Sequence, residues 1–264
     1  MPMESMLRTL GKMTADQVLE PGSSDVAEVC ERIQSEAALK KAKLHPFSVL
    51  TASENYKRGQ GNRGNVKWEP DVDIIKALDS AFYKCFTNVE PAGKRFMVAV
   101  DISTSLSSVV KGTAVSTAVA AAAMAMIFAR TEAETQVMAY SEGAIVPCTI
   151  TEGMSLRQVA TELIPSGYTD CALPILWASE KTITVDMFII FTNSACWHGE
   201  ANPAECLRMY RHVRHFAVVY HCPSPLNSLF FWLHRYTASL LHHYIVCHYV
   251  ELQHCSGMQV ANMA

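Results

Sequence analysis

Apolar positions change rhythm twice along the chain. Up to residue 90 they recur at helical spacing. VAEVCERIQSEAALKKA (26–42) brings Val26, Val29, Ile33, Ala37 and Leu39 close to one face after the turn Pro21-Gly22-Ser23-Ser24, which predicts a helix over 26–42. HPFSVLTASENYK (45–57) predicts a second, with proline near the first position, where its missing N–H is not needed. DVDIIKALDSAFYKCF (71–86) predicts a third, opened by two aspartates that suit the positive end of the helix dipole. Between the last two, KRGQGNRGNVKW (57–68) is a Gly/Asn-rich basic loop without helical period. Helices in series with short connections suggest part of an all-helical repeat array.

From 94 to 220 short apolar runs alternate with helical stretches. FMVAV (96–100), TQVMAYS (135–141), MFIIF (187–191) and FAVVY (216–220) read as strands. The Ala/Met-rich 112–130, LRQVATELI (156–164) and AECLRMYRHV (204–213) read as helices. Strands apolar on both faces, separated by helices, predict a mostly parallel sheet covered on both sides, an α/β fold. From His221 the pattern breaks: residues 221–264 hold six of the ten histidines and several large aromatics with no strand–helix alternation. That stretch is expected to be a divergent, poorly ordered tail.

Composition narrows the function classes. Half of the 264 residues are hydrophobic and 18% are charged, enough apolar material for a real core. A net charge of −3 argues against holding nucleic acid by global charge and leaves room for a local basic patch. The nine cysteines form no CxxC pair, which reads as reduced thiols in an intracellular protein. The start, MPMESMLRTLGKMT, has no apolar signal core, and no stretch longer than eighteen residues lacks both charge and histidine.

The candidate chemistry lies where FMVAV runs into DISTS. Asp101, Ser103 and Ser105 alternate in a turn after a buried strand, and ligands of open α/β sheets sit beyond such strand ends. A carboxylate and short hydroxyls suit a hard dication such as Mg²⁺. The alternative is that Ser103 or Ser105 only caps the next helix. A second candidate is the basic stretch with Lys40, Lys41, Lys43, His45, Lys57, Arg58, Arg63 and Lys67. Its cations suit phosphates, and Tyr56, Trp68 and His45 suit stacking on bases. The alternative there is a solvated helix face, with His45 packed at a helix start.

DISTS (101–105), SGYTD (166–170) and FIIFTN (188–193), on successive strand–loop junctions, resemble the von Willebrand factor A domain. That resemblance implies a divalent-cation site formed by Asp101, Ser103, Ser105, Thr169 and Asn193. Asn193 stands where the family usually has aspartate, and Tyr168 where glycine is common. Both departures predict weak or absent binding of Mg²⁺ or another divalent cation. MESMLRTLGKMT (3–14), LEPGSS (19–24), KKAKLHPFSVL (40–50), residues 67–96 and TDCALPILWA (169–178) extend the likeness over 3–220, which resembles the Ro/SS-A ribonucleoprotein family.

That family pairs a ring of TROVE helical repeats with a von Willebrand A domain. The resemblance implies an organisation with 1–92 as the last helices of a HEAT-like TROVE ring. Residues 93–220 would form a Rossmann-like A domain without its last strand and helix, and 221–264 unrelated sequence. It implies RNA binding, with Y RNAs and misfolded small noncoding RNAs as partners in RNA quality control. It also implies a cytoplasmic location, the nucleus being the second compartment allowed, with no membrane and no DNA.

Two function classes follow from these readings: an RNA-binding ribonucleoprotein component, and a metal-dependent module that recruits a protein partner. Binding that falls steeply with salt marks the first; binding lost to a chelator marks the second. An enzyme is not expected. No GxSxG elbow surrounds Ser103 or Ser105, and no histidine is placed as their base. The tail's His221, Cys222, His242, His243, Cys247, His248, His254 and Cys255 fit no zinc-finger spacing.

Overall fold

The run RFMVAVD is buried from Phe96 to Asp101 and forms β1 (Arg95–Asp101), the middle strand of a five-stranded sheet. The computed structural model describes residues 1–61, 65–102, 109–110, 112–141, 144–162, 170–192, 201–214 and 218–222. β2 (Glu134–Ser141) and β4 (Met187–Phe191) flank β1 in parallel, with Arg95 opposite Glu134 and Phe96 opposite Met187. β5 (Val218–Cys222) continues in parallel beside β4, and β3 (Ala144–Cys148) returns antiparallel on β2. The sheet order is β3-β2-β1-β4-β5. The mostly parallel α/β sheet expected from the sequence is therefore the fold.

Alternation along the strands sorts side chains onto two faces. Phe96, Val98, Val100, Val137, Ala139, Ile189 and Phe191 join one core cluster. Met97, Ala99, Met138, Tyr140, Phe188 and Ile190 join the other. The first face carries α6 (Thr117–Thr131) and α7 (Leu156–Glu162); the second carries α8 (Leu173–Glu180) and α9 (Pro203–Arg214).

Ahead of the sheet come α1 (Met3–Ala15), α2 (Ser24–Gln34), α3 (Glu36–Lys41), α4 (Pro46–Lys57), α5 (Val72–Lys84) and a 3₁₀ turn (Cys85–Asn88). The single helix expected over 26–42 is in fact two. Ser35 adopts extended backbone (φ −70°, ψ 108°) and its hydroxyl accepts the Ala38 N–H, capping α3. A serine offers the chain this local alternative to continuing the helix. Asp71 caps α5 by accepting from the N–H groups of Asp73 and Ile74.

Helix α6 is buried continuously from Ala120 to Phe128. A helix apolar on all sides needs cover on all sides. The sheet supplies one side, while α7, α4 and the 3₁₀ turn supply others. One core cluster consequently runs from α1 through α6 to the sheet. Two elements escaped the sequence reading. β3 is a short edge strand interrupted by Pro147, and α8 is an eight-residue helix with no usable period. β5 also reaches Cys222, two residues past the expected boundary. No helix among the described residues is long and apolar enough to cross a membrane.

Candidate site at the strand tips and a basic helical surface

The chain leaves β1 through α6 to reach β2 on one side, and later crosses to β4 on the other. The carboxyl ends of β1 and β4 thus flank the switch point where open sheets bind ligands. Asp101 ends β1 there and is fully buried. Thr192, directly after β4, donates its hydroxyl to Asp101 Oδ2 at 2.6 Å. A hydroxyl on one carboxylate oxygen fixes that group's orientation, and a fixed carboxylate at the switch point is a donor that suits a hard cation.

Beneath it, Tyr140 lies opposite Asp101 in the register, and its hydroxyl meets Cys171 Sγ at 3.5 Å. Burial pushes the Tyr140 phenol well above its ordinary value and the Cys171 thiol up to about 11. Both stay protonated near neutrality and add no charge under the site. Asp170 turns its carboxylate to the Ala172 N–H at the start of α8. Ser103, Ser105, Tyr168, Thr169 and Asn193 lie outside the described residues. Among the described residues no three acidic, histidine or cysteine side chains gather as a metal-binding group. The zinc candidates of the tail also lie outside, except for the backbone of His221 and Cys222 in β5.

The basic stretch divides. Lys40, Lys41, Lys43 and Lys67 are exposed. Among the described residues none of them is in an ion pair. Lys57 is instead held by Glu54 at 3.1 Å and Asp79 at 2.9 Å. Arg58 curls back onto the Gln60 carbonyl through Nε and Nη2. His45 caps α4, its Nδ1 accepting the Phe47 N–H at 3.2 Å, as its place before Pro46 suggested. Arg63 lies outside the described residues.

The expectation that Tyr56 and Trp68 offer rings to bases is corrected. Tyr56 is buried, its hydroxyl meets Thr14 Oγ1 and accepts the Asp71 N–H, and Trp68 stacks against it while donating Nε1–H to the Tyr56 carbonyl. Amphipathic rings serve cores as readily as ligands. Sequence reading also missed Asn88, whose amide donates to the carbonyls of Leu39 and Leu44 on either side of the lysine turn. Its only sequence signal was a polar residue at a helix end.

Comparison with known proteins follows the two halves of this geometry. The family model described as "Ro60 vWA domain" matches residues 95–218, and the "TROVE domain" model matches residues 1–56. The chain is 36% identical over 213 residues to the Caenorhabditis elegans "RNA-binding protein RO60", covering 80% of this chain and 33% of that one. To the Deinococcus radiodurans "RNA-binding protein RO60" it is 37% identical over 210 residues, covering 78% and 39%. The crystal structure of the Deinococcus radiodurans RO (RSR) protein superposes with a TM-score of 0.78 at 34% identity, covering 83% of this chain and 46% of that chain. The chain thus spans less than half the length of each of these relatives.

Proposed function

The chain belongs to the Ro60 family, and from that premise we propose that it is an RNA-binding ribonucleoprotein component whose ligands are Y RNAs and misfolded small noncoding RNAs in the cytoplasm. The observation that carries the reading is the set of exposed lysines (Lys40, Lys41, Lys43, Lys67) with no carboxylate partner among the described residues, on a chain whose net charge is −3. Unpaired ammonium groups release counterions from a phosphate backbone when they bind it, which local charge permits even in an acidic protein. Both relatives are named as RNA-binding proteins, which supports the same reading. No catalytic role is assigned.

A second reading rests on Asp101 and Thr192. Here Asp101, Ser103, Ser105, Thr169 and Asn193 would hold Mg²⁺ or another divalent cation, whose open coordination position a carboxylate of a protein partner completes. The amide of Asn193 in place of a carboxylate removes one negative charge and makes that cation weakly held.

A gel-shift titration separates the two. The purified chain is titrated with a Y RNA and a structured control RNA at two salt concentrations, each with and without EDTA. Preferential binding that falls steeply with salt and ignores EDTA is the expected result. Binding no stronger than the control, from a chain shown to be folded, overturns the RNA reading and leaves the cation-dependent module.

A further inference from the structure

We propose that the Lys40–Lys43 turn is the phosphate-contacting element of this chain, three ammonium groups on one rigid turn that Asn88 positions; this rests on the RNA-binding reading above. Helix α3 is only six residues long, yet its end is firmly built. The Lys43 N–H donates to the Lys40 carbonyl at 3.0 Å and the Leu44 N–H to the Leu39 carbonyl at 3.3 Å. This reverse turn puts Lys43 at φ 49°, the left-handed region where glycine is the favoured residue. Asn88 Nδ2 brackets the turn, donating to Leu39 O at 3.2 Å and to Leu44 O at 2.9 Å. Leu39 and Leu44 are buried on either side, so Lys40, Lys41 and Lys43 project from a fixed base.

Two other helices end the same way, with Gln17 (φ 59°) after α1 and Thr182 (φ 55°) after α8. The backbone conformation alone therefore does not mark a site. What distinguishes this turn is three cations close in the chain, since Lys67 and Arg157 are also exposed without an ion pair among the described residues but stand singly. Arg8, Lys12 and Lys76 are also exposed, and each has an acidic side chain from its own helix or the adjoining cap. The three lysines of the turn have none among the described residues, although Glu36 lies one helical turn before Lys40. Cations at a helix carboxyl end also suit its dipole, which accounts for Lys40 and Lys41 within the last turn. Lys43 stands outside the helix, at a position where glycine is the less strained residue. A ligand of repeated negative charge, the phosphate backbone of RNA, matches three adjacent ammonium groups held without rotation of the backbone.

Lys43→Gly separates the two explanations. Relief of the left-handed strain raises the melting midpoint by about a few degrees, while removal of the ammonium group weakens RNA binding. Thr182→Gly is the control: it relieves the same strain on a turn that has no ammonium cluster, and it raises the midpoint without changing RNA affinity. The decisive experiment repeats the Y RNA titration on the full chain over a series of KCl concentrations. It compares wild type with a Lys40→Ala, Lys41→Ala, Lys43→Gly variant and with Asn88→Ala.

The triple variant is expected to lose at least about tenfold in affinity, with the slope of log affinity against log salt shallower by about two to three. Asn88→Ala, which keeps every charge, is expected to weaken binding with the slope unchanged. A wild-type chain that binds RNA with a salt dependence the triple variant retains overturns the role of the turn alone. A wild-type chain that binds no RNA beyond background overturns the RNA reading and the turn's role together. Displacement of the RNA by poly-L-glutamate at equal charge concentration overturns it in favour of an acidic protein segment as the ligand.

Discussion

Arg95 opens β1 and Asp186 immediately precedes β4, and a fork of bonds joins them: Nε to Oδ2 at 3.0 Å, Nη2 to Oδ1 at 2.6 Å, and the Arg95 backbone N–H to Oδ2 at 2.9 Å. The Arg95 guanidinium holds the Asp186 carboxyl below its ordinary value. A carboxylate whose folded pKa is lowered contributes stability that is fully present above its unfolded value, near 4. That stability is lost as pH falls further through the folded pKa. Asp186→Asn is therefore expected to be destabilising at pH 7, with the difference from wild type shrinking below about pH 4. Urea midpoints measured from pH 7 to pH 2.5 check this, and a constant difference across that range refutes it. The same scale shows what a residue type leaves open. Lys57 and Lys43 are both lysines in a basic stretch, and only their neighbours separate an ion-paired side chain from one with no ion pair among the described residues.

At the scale of elements, α1 packs its Gly11 against the ring of Trp68. A Cβ at position 11 would run into Trp68 Cζ2, with Cη2 at 2.5 Å and Cε2 at 2.7 Å. That ring is itself pinned by the Tyr56 carbonyl and by stacking on Tyr56, so it cannot move without disturbing α4. Alanine favours a helix over glycine by about 1 kcal/mol, whereas overpacking a fitted contact costs about 1–3 kcal/mol. The steric cost wins, and Gly11→Ala is expected to lower stability by about 1–2 kcal/mol, read as a lower urea midpoint at unchanged m-value. Unchanged or raised stability would show that the 57–68 loop yields instead. Without Trp68 in place, the same substitution read from the sequence alone would be judged stabilising.

At the scale of the whole molecule, the carboxyl end of α6 ties the helical segment to the sheet. The Arg130 guanidinium lies 5.6 Å from the centre of the Tyr83 ring and 5.7 Å from that of Phe86, while Nη2 donates to the carbonyls of Thr151 and Met154. The Tyr83 hydroxyl accepts the Leu156 N–H, and the Glu132 carboxylate accepts the N–H groups of Ala92 and Gly93 between the two parts. At the other end, Asn55 of α4 accepts the Ala114 N–H ahead of α6. With one core cluster across both parts, urea unfolding is expected to be a single transition by circular dichroism. Arg130→Ala removes hydrogen bonds and ring contacts together, which is worth about 1–3 kcal/mol, and shifts that single transition. Two separable transitions in the wild-type chain would refute the coupling.

The sequence by itself determined the sheet, the helices and the tip of β1. Continuous apolar runs can satisfy their side chains only inside a covered parallel sheet, and an aspartate ending such a run lies at the strand end wherever the strand goes. It also made the helical identity of 46–57 and 72–84 legible, through proline and aspartate at their starts. Tertiary structure alone decided what those residues meet. Ser35 divides the expected 26–42 helix by capping α3, and Leu39 and Leu44 are both buried around the turn that follows. Trp68 packs against the core and onto buried Tyr56 because Gly11 leaves room for its ring, and Asp101 is oriented because Thr192 arrives from the end of a strand ninety-one residues later. Contacts of that range depend on which strand lies beside which, and periodicity is blind to it. The lysines of 40–43 were visible as charge. Only the packed chain, with carboxylates beside Arg8, Lys12, Lys57 and Lys76 and with Asn88 donating to both sides of the turn, decided that these three stand exposed together.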